Sequence, residues 1–152
     1  MPAGELIVTE NRRARRDYEI TDRFEAGLAL TGSEIKSIRQ GKVDIQGCYG
    51  RIRRGEIWLL DSYIAPYENA GYVSHEARRD RKLLLRKKEI SRIREALDER
   101  GLTLIALNLH LRRGMAKVEL GVARGIKRYD KRRKIREREE GRQVARALRR
   151  SA

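Results

Sequence analysis

Two Arg-Arg-Gly tripeptides, at residues 53–55 and 112–114, each separate two β-compatible segments and constrain the fold more than any other feature. Glycine adopts the positive φ that tight turns require, so each tripeptide predicts an antiparallel hairpin. After the second turn, apolar residues alternate with other residues from Ala116 to Val122, as in a strand with one buried face. The chain is therefore predicted to fold around antiparallel β-hairpins.

Further strands are predicted at residues 18–30, where Gly27 suggests a bend, and at residues 82–86, a short buried strand. The second strand of the first hairpin is predicted to run as far as Pro66. Residues 67–81 are polar and predicted to form an irregular loop, and residues 1–10 are predicted to be loose and flexible.

Two short helices are predicted between these strands. The first spans about residues 33–40, with Ser33 as its N-cap and Gly41 at its end. In the second, Ile90, Ile93 and Leu97 fall on one face. Several short strands, two hairpins and two to three short helices predict a mainly β fold, a small antiparallel OB-like (oligonucleotide-binding) barrel.

Charge divides the chain into a body and a tail. The formal net charge is +15, and residues 124–152 contribute +9 of it. We therefore predict a barrel at residues 11–123 and a basic tail at 124–152, with a polyanionic partner. The tail has few apolar anchors, and a helix without a packing partner is marginal in water, so we expect it to be disordered when free.

Several other classes of protein are disfavoured by composition. Cys48 is the only cysteine, and the two histidines, His75 and His110, are far apart, so neither a disulfide nor a zinc site is predicted. No apolar run is long enough for a membrane span, and the start lacks a signal-peptide pattern, which favours a cytoplasmic protein. No nucleophile elbow or phosphate loop is present, so we expect a non-enzyme without cofactor or metal. Cys48 and Trp58 are predicted to lie in the core.

Five segments, in order along the chain, resemble the signature motifs of SsrA-binding proteins (small protein B). They occupy residues 11–18, 24–42, 81–85, 101–107 and 121–133. The resemblance implies a protein that binds the tRNA-like domain of transfer-messenger RNA (tmRNA) at its elbow. It also implies delivery to stalled ribosomes, where the tail becomes helical in the empty message channel and a degradation tag is translated. The elongation factor that carries the charged RNA is a further implied partner, no membrane is involved, and a monomer is expected.

The resemblance and the predicted exposed faces together give two sets of candidate residues. Arg86 stands where the family commonly has asparagine, and Arg16 where it commonly has histidine. The predicted tmRNA-binding residues are Asn11, Tyr18, Glu25, Lys36, Tyr49, Leu84, Arg86 and Lys117. The predicted contacts with the ribosomal decoding site and message channel are Arg16, Gly125, Lys127, Asp130, Lys131, Arg132 and Leu148.

Two alternatives remain open from the sequence. The first is a structural ribosomal protein that combines a small barrel with a basic extension. Composition alone does not distinguish such a protein from an SsrA-binding protein. The second is a nuclease built on the same class of barrel. The identity of the RNA that co-purifies with the protein tests the first alternative, and an RNA cleavage assay tests the second.

Overall fold

The computed structural model describes residues 5–67, 75–99 and 101–126, together with Arg142. Strands and helices alternate irregularly along the chain. In order they are β1 (Glu5–Glu10), α1 (Ala14–Asp17), β2 (Tyr18–Leu28), α2 (Gly32–Arg39), β3 (Val43–Asp44), β4 (Tyr49–Arg53), β5 (Glu56–Leu60), β6 (Tyr63–Ile64), β7 (Arg81–Leu84), α3 (Lys87–Asp98), β8 (Leu102–Arg112) and β9 (Met115–Gly125).

Six of the strands close into an antiparallel barrel. Starting from β8, each strand pairs with the next in the order β9, β2, β7, β5 and β4, and β4 pairs with β8 again. Strand β1 extends the sheet along the other half of β8, and β3 pairs with β6 in a separate two-stranded sheet. The predicted mainly β, antiparallel barrel with short helices is confirmed.

The core lies inside the barrel and is made of alternate residues from its strands. Fully buried examples are Ala26 on β2, Leu83 on β7, Leu104 on β8 and Leu120 on β9. Helices α2 and α3 contribute buried isoleucines to the same cluster. Because this face is largely apolar, with Arg81 on β7 as a charged exception, most polar side chains of the same strands lie on the outer surface.

Both predicted hairpins are present, and each has a two-residue turn. Arg54 and Gly55 have φ of 49° and 76°, and Arg113 and Gly114 have φ of 51° and 78°. Two consecutive positive φ angles match the twist of antiparallel strands, which is the geometry that two-residue hairpin turns favour.

The prediction that residues 1–10 are loose is wrong over Glu5–Glu10. These residues form β1, which pairs with β8 from Glu5 opposite Arg112 to Glu10 opposite Asn108. The segment Glu5–Glu10 lacks a clean alternation of apolar and polar residues, and its adjacent Leu6 and Ile7 are both exposed. Its structure comes from backbone pairing with a long strand distant in sequence, which local pattern does not reveal.

Three local boundaries also differ from prediction. Helix α2 begins after Thr31 instead of Ser33, because Thr31 and Glu34 form a capping box. Strand β5 ends at Leu60, where Asp61 has a φ of 63° and the chain turns before β6. The irregularity in β2 lies between Ile20 and Asp22, not at Gly27.

A buried ion cluster anchors α2 to the start of β7. Glu34 is fully buried and bonds with the guanidinium groups of Arg79 and Arg81, the latter at 2.5 Å from Nε to Oε2. Arg81 is also fully buried and donates to the hydroxyl of Ser62 at 2.8 Å and to the carbonyl of Ala77 at 3.1 Å. This one cluster therefore holds the segment before β7 against the barrel and sets the position of β7.

Candidate nucleic-acid interface

A groove of about 850 Å³ lies between the barrel wall and the start of α3. Four of the predicted tmRNA-binding residues line it, although they come from separate elements: Glu25 on β2, Leu84 on β7, Arg86 before α3, and Lys117 on β9. Lysines and arginines from the first turns of α3 line it as well. The fold thus assembles one cationic groove from residues scattered along the sequence.

Leu84 is the most exposed of the apolar residues that line this groove. Arg81 and Leu83 point into the protein, so by alternation Lys82 and Leu84 point outward, and Leu84 is 50% exposed. The backbone opposite is Gly27, where an added Cβ would lie 3.4 Å from the Cβ of Leu84. The side chains of Leu84 and Lys117 lie over Gly27, so the exposed part of Leu84 is the apolar surface that a flat group such as a nucleobase can contact.

The carboxylate of Glu25 is held by two neighbours on β8. Arg112 donates from Nη1 to Oε1 at 2.8 Å, and the Nε2 atom of His110 lies 3.3 Å from Oε2. Arg112 also donates from Nε to Glu5 on β1 at 2.6 Å. Sequence reasoning missed Arg112, His110 and Glu5, because only the strand register brings them to Glu25.

The amide of Asn108 extends this network to β9. Its Nδ2 atom donates to Oε2 of Glu119 at 2.6 Å, and since a carboxylate only accepts, Oδ1 faces Nδ1 of His110 at 2.8 Å. Glu119 in turn accepts a hydrogen bond from Arg23 at 2.9 Å. The outer face of β2, β9, β8 and β1 therefore carries one connected polar network, which runs from Arg23 through Glu25 to Arg112 and Glu5.

Three other predicted residues, Asn11, Tyr18 and Tyr49, line a second and smaller pocket of about 400 Å³. The side chain of Asn11 donates to the carbonyl of Ala106 at 2.9 Å, so it also holds the β1–α1 junction on β8. Tyr18 and Gly27 mark opposite ends of the long pairing with β9, about 30 Å apart. The predicted tmRNA set therefore divides between two ends of the barrel.

Two residues of the predicted ribosome set lie beside this second pocket. Arg16 is exposed on α1, and Gly125 pairs with Tyr18 at the end of β9. The amide of Ile126 donates to the carbonyl of Asp17 at 2.9 Å, so the chain leaves the barrel next to α1. The other predicted ribosome contacts, Lys127, Asp130, Lys131, Arg132 and Leu148, lie outside the described residues.

Lys36 lies in neither cavity. It is exposed on α2, and its Nζ atom is 5.3 Å from the ring centroid of Tyr67. Its contact with RNA stays a prediction, and Lys36 does not lie with the residues that line the groove.

Other kinds of site are not seen in the described part of the chain. Residues 5–67, 75–99 and 101–126 contain no group of three or more His, Cys, Asp or Glu side chains placed to hold a metal ion. No described helix is long and apolar enough to cross a membrane. Cys48 is buried, and this burial raises the pKa of its thiol to about 12. Such a thiol is protonated at neutral pH and unsuited to nucleophilic chemistry.

These features define a small closed β-barrel with a cationic outer groove. A sequence model of the SmpB protein family matches residues 8–150. The SsrA-binding protein of Roseiflexus sp. (strain RS-1) is 56% identical over 95% of this chain and 92% of its own length. That of Carboxydothermus hydrogenoformans is 46% identical over 95% and 97%.

A solved chain is also similar, with a TM-score of 0.68 and 48% identity over 88% of this chain and 96% of its own length. It comes from a structure described as "tmRNA-SmpB: a journey to the center of the bacterial ribosome". The chain belongs to the SmpB protein family.

Proposed function

We propose that this protein binds the tRNA-like domain of tmRNA and delivers it to stalled ribosomes for trans-translation. The observation that carries the proposal is the groove in which Glu25, Leu84, Arg86 and Lys117 meet. Folded RNA is recognised by shape, backbone contacts and splayed bases, and this groove offers cations, an exposed leucine and a fixed carboxylate for such contacts. Relatives that bear the name SsrA-binding protein, and a solved tmRNA-SmpB relative, support the same partner.

The second part of the proposal concerns the ribosome. Arg16 and Gly125 lie where the chain leaves the barrel, and residues 127–152 follow with a strong excess of basic residues. We propose that this end contacts the decoding site, through Arg16, Gly125, Lys127, Asp130, Lys131 and Arg132. Leu148 serves as an apolar anchor when the tail becomes helical in the message channel. The protein acts in the cytoplasm as a non-enzyme, together with the elongation factor that carries the charged RNA.

The groove and the tail make separable contributions, which provides the test. Deleting residues 130–152 should leave the affinity for the isolated tRNA-like domain nearly unchanged and abolish peptide tagging on stalled ribosomes in a reconstituted translation system. Equal loss of both activities would contradict the division between barrel and tail.

The identity of the bound RNA tests the proposal as a whole. Sequencing the RNA that co-purifies with the tagged protein from its own cells should return tmRNA as the enriched species. Enrichment of bulk ribosomal RNA alone would favour a structural ribosomal protein, and cleavage of the RNA with or without divalent metal would favour a nuclease.

A further inference from the structure

The outer side of strands β4, β5 and β7 carries three cationic or aromatic side chains with no role in the function proposed so far, Arg51, Trp58 and Lys82. The strand register places Arg51 opposite Trp58, and Trp58 opposite Lys82. Tyr49 lies two residues before Arg51 on β4, and Leu84 lies two residues after Lys82 on β7, so both share the same outer face. These five residues are called the outer strip.

Trp58 is the central residue of the outer strip, and it lies outside the core in which the sequence placed it. Ile57 and Leu59 on either side are fully buried, so alternation turns Trp58 outward, where it is only partly buried. Among the described residues, the two cation–π contacts cover the rings of Tyr63 and Tyr67 and leave Trp58 uninvolved. Trp58 is therefore an aromatic side chain that is partly exposed on the outer surface of the sheet.

The outer strip joins the two cavities described above. Lys82 and Leu84 line the groove, and Tyr49 lines the smaller pocket. Neighbouring strands are about 4.8 Å apart and alternate residues about 7 Å apart, so successive members of the strip are adjacent. An RNA that occupies the groove can therefore continue across Trp58 without leaving the protein surface.

The charges along the outer strip favour an anionic partner with exposed flat groups. Arg51 is exposed and forms no ion pair with any residue that the structure describes. Lys82 pairs with Glu56 at 3.1 Å, but its side chain remains 40% exposed. An aromatic ring flanked by cations is the arrangement on which proteins stack unpaired bases while contacting the adjacent phosphates.

We propose that Trp58 stacks on an unpaired base of the tRNA-like domain of tmRNA, with Arg51 and Lys82 contacting the phosphates on either side. The inference rests on the proposed function, because RNA bound in the groove is what brings the base to the outer strip. It adds a stacking contact on β5, which none of the predicted site residues supplies.

Trp58 is the only tryptophan in the chain, so its fluorescence reports on this contact in the unmodified protein. The probe is a transcript of the tRNA-like domain, and binding is measured independently by gel shift. We expect saturating RNA to quench the tryptophan emission and to protect it severalfold from acrylamide. A gel shift without any change in emission or protection would overturn the inference and leave the proposed function standing.

Substitutions on the outer strip provide the second measurement. Trp58→Leu should weaken RNA binding about tenfold, and Trp58→Phe should retain most of the affinity, since a stacked base contributes about 1–3 kcal/mol. Arg51→Gln should lower the slope of affinity against salt by about one phosphate contact. Arg78→Gln is the matched control, because Arg78 is exposed and contacts Tyr63 away from the strip.

The remaining outcomes are also decisive. Wild-type affinity in Trp58→Leu would overturn the stacking contact, and thermal unfolding shows whether a weaker variant is still folded. Protection of the tryptophan by ribosomal small subunits, but not by the tRNA-like domain, would assign the outer strip to ribosomal RNA and overturn the inference. Absence of any gel shift with the wild-type protein would refute the proposed function, and the inference with it.

Discussion

Glu25 and Arg112 face each other across the outer side of the barrel, with Nη1 of the arginine donating to Oε1 of the glutamate at 2.8 Å. Arg112 is held from its other side by Glu5. A carboxylate in an RNA-binding groove repels phosphate, so a purely electrostatic argument assigns it a harmful role. The ion pair with Arg112 gives Glu25 a favourable role, because Glu25 fixes the direction in which the Arg112 guanidinium points.

We predict that Glu25→Ala weakens binding of the tRNA-like domain about tenfold, although it removes a negative charge. The loss follows from leaving the Arg112 guanidinium held by Glu5 alone, and from leaving Nε2 of His110 without its oxygen partner. Binding is measured by gel shift at fixed salt. Glu19→Ala, on the same strand but at its far end, is the control and should bind as well as the wild type or slightly better. Unchanged binding by Glu25→Ala would mean that the carboxylate has no part in recognition.

A double substitution tests whether the two residues act together. If Glu25 works by orienting Arg112, the combination of Glu25→Ala with Arg112→Gln should bind no more weakly than the weaker single variant. Residues in direct contact are expected to show such non-additivity, whereas independent contacts lose affinity additively. Fully additive losses in the gel shift would show that each residue contacts the RNA on its own.

The sequence predicted the features of this fold that depend on neighbouring residues. Both hairpins follow from Arg-Arg-Gly turns, α2 follows from an N-cap and the glycine stop at Gly41, and α3 follows from the spacing of its apolar residues. Strand β1 and the network around Glu25 were not predicted. Both depend on which residues of β8 lie next to β1 and which lie next to Glu25. Register between distant strands is set by the whole barrel, and no local pattern encodes it.

The candidate site shows the same division between local and long-range information. The resemblance supplied Glu25 and Leu84, and the barrel brings them into one groove with Arg86 and Lys117. Trp58 was misplaced because a large aromatic residue in an apolar segment favours the core by composition alone. The alternation of its neighbours, which the paired strands make visible, turns it outward instead.

We predict that Glu34→Gln lowers the free energy of unfolding by about 3–5 kcal/mol at neutral pH. Glu34 is fully buried, and the variant leaves Arg79 and Arg81 without their shared counter-ion. Urea unfolding followed by circular dichroism measures the change. Glu95→Gln, exposed on α3, is the matched control and should be close to wild type. A change below about 1 kcal/mol for Glu34→Gln would contradict the importance of the cluster.

The same cluster predicts how stability depends on pH. Burial raises the pKa of Glu34, but hydrogen bonds from Arg79, the Thr31 amide and Arg81 outweigh it, and the net pKa is lowered. A carboxyl group whose folded pKa is lowered stabilises the protein above its unfolded pKa of about 4.3, and the contribution is lost as pH falls through the folded value. Below about pH 4, the free energy of unfolding should therefore fall less steeply with decreasing pH in Glu34→Gln than in the wild type.

Cys48 should be unreactive for as long as the protein is folded. Its thiol is buried and its pKa is raised to about 12, chiefly by burial and further by Asp44 and Asp61. Since only the thiolate attacks, the rate with a thiol reagent at pH 8 should be about three orders of magnitude below that of the urea-unfolded chain. Fast labelling of the native protein would show that the barrel opens near Cys48.

Gly50 is predicted to be a glycine that the barrel cannot exchange for alanine. A Cβ built at this position on β4 would lie 2.4 Å from Cδ2 and 3.0 Å from Cγ of Leu104, which is itself fully buried. Because Leu104 is fully buried in the core cluster, its side chain shifts only by displacing its neighbours, so Gly50→Ala should cost about 1–3 kcal/mol of unfolding free energy through overpacking.

Gly32 is the matched control for this substitution. It is the first residue of α2, and a Cβ there would meet nothing within 4 Å. Gly32→Ala should therefore be neutral or stabilising by up to about 1 kcal/mol, because alanine loses less backbone entropy in a helix. In thermal unfolding, Gly50→Ala should have a lower midpoint than the wild type, and Gly32→Ala an unchanged or higher one. Equal stability of Gly50→Ala and Gly32→Ala would show that β4 and β8 are packed less closely than the structure indicates.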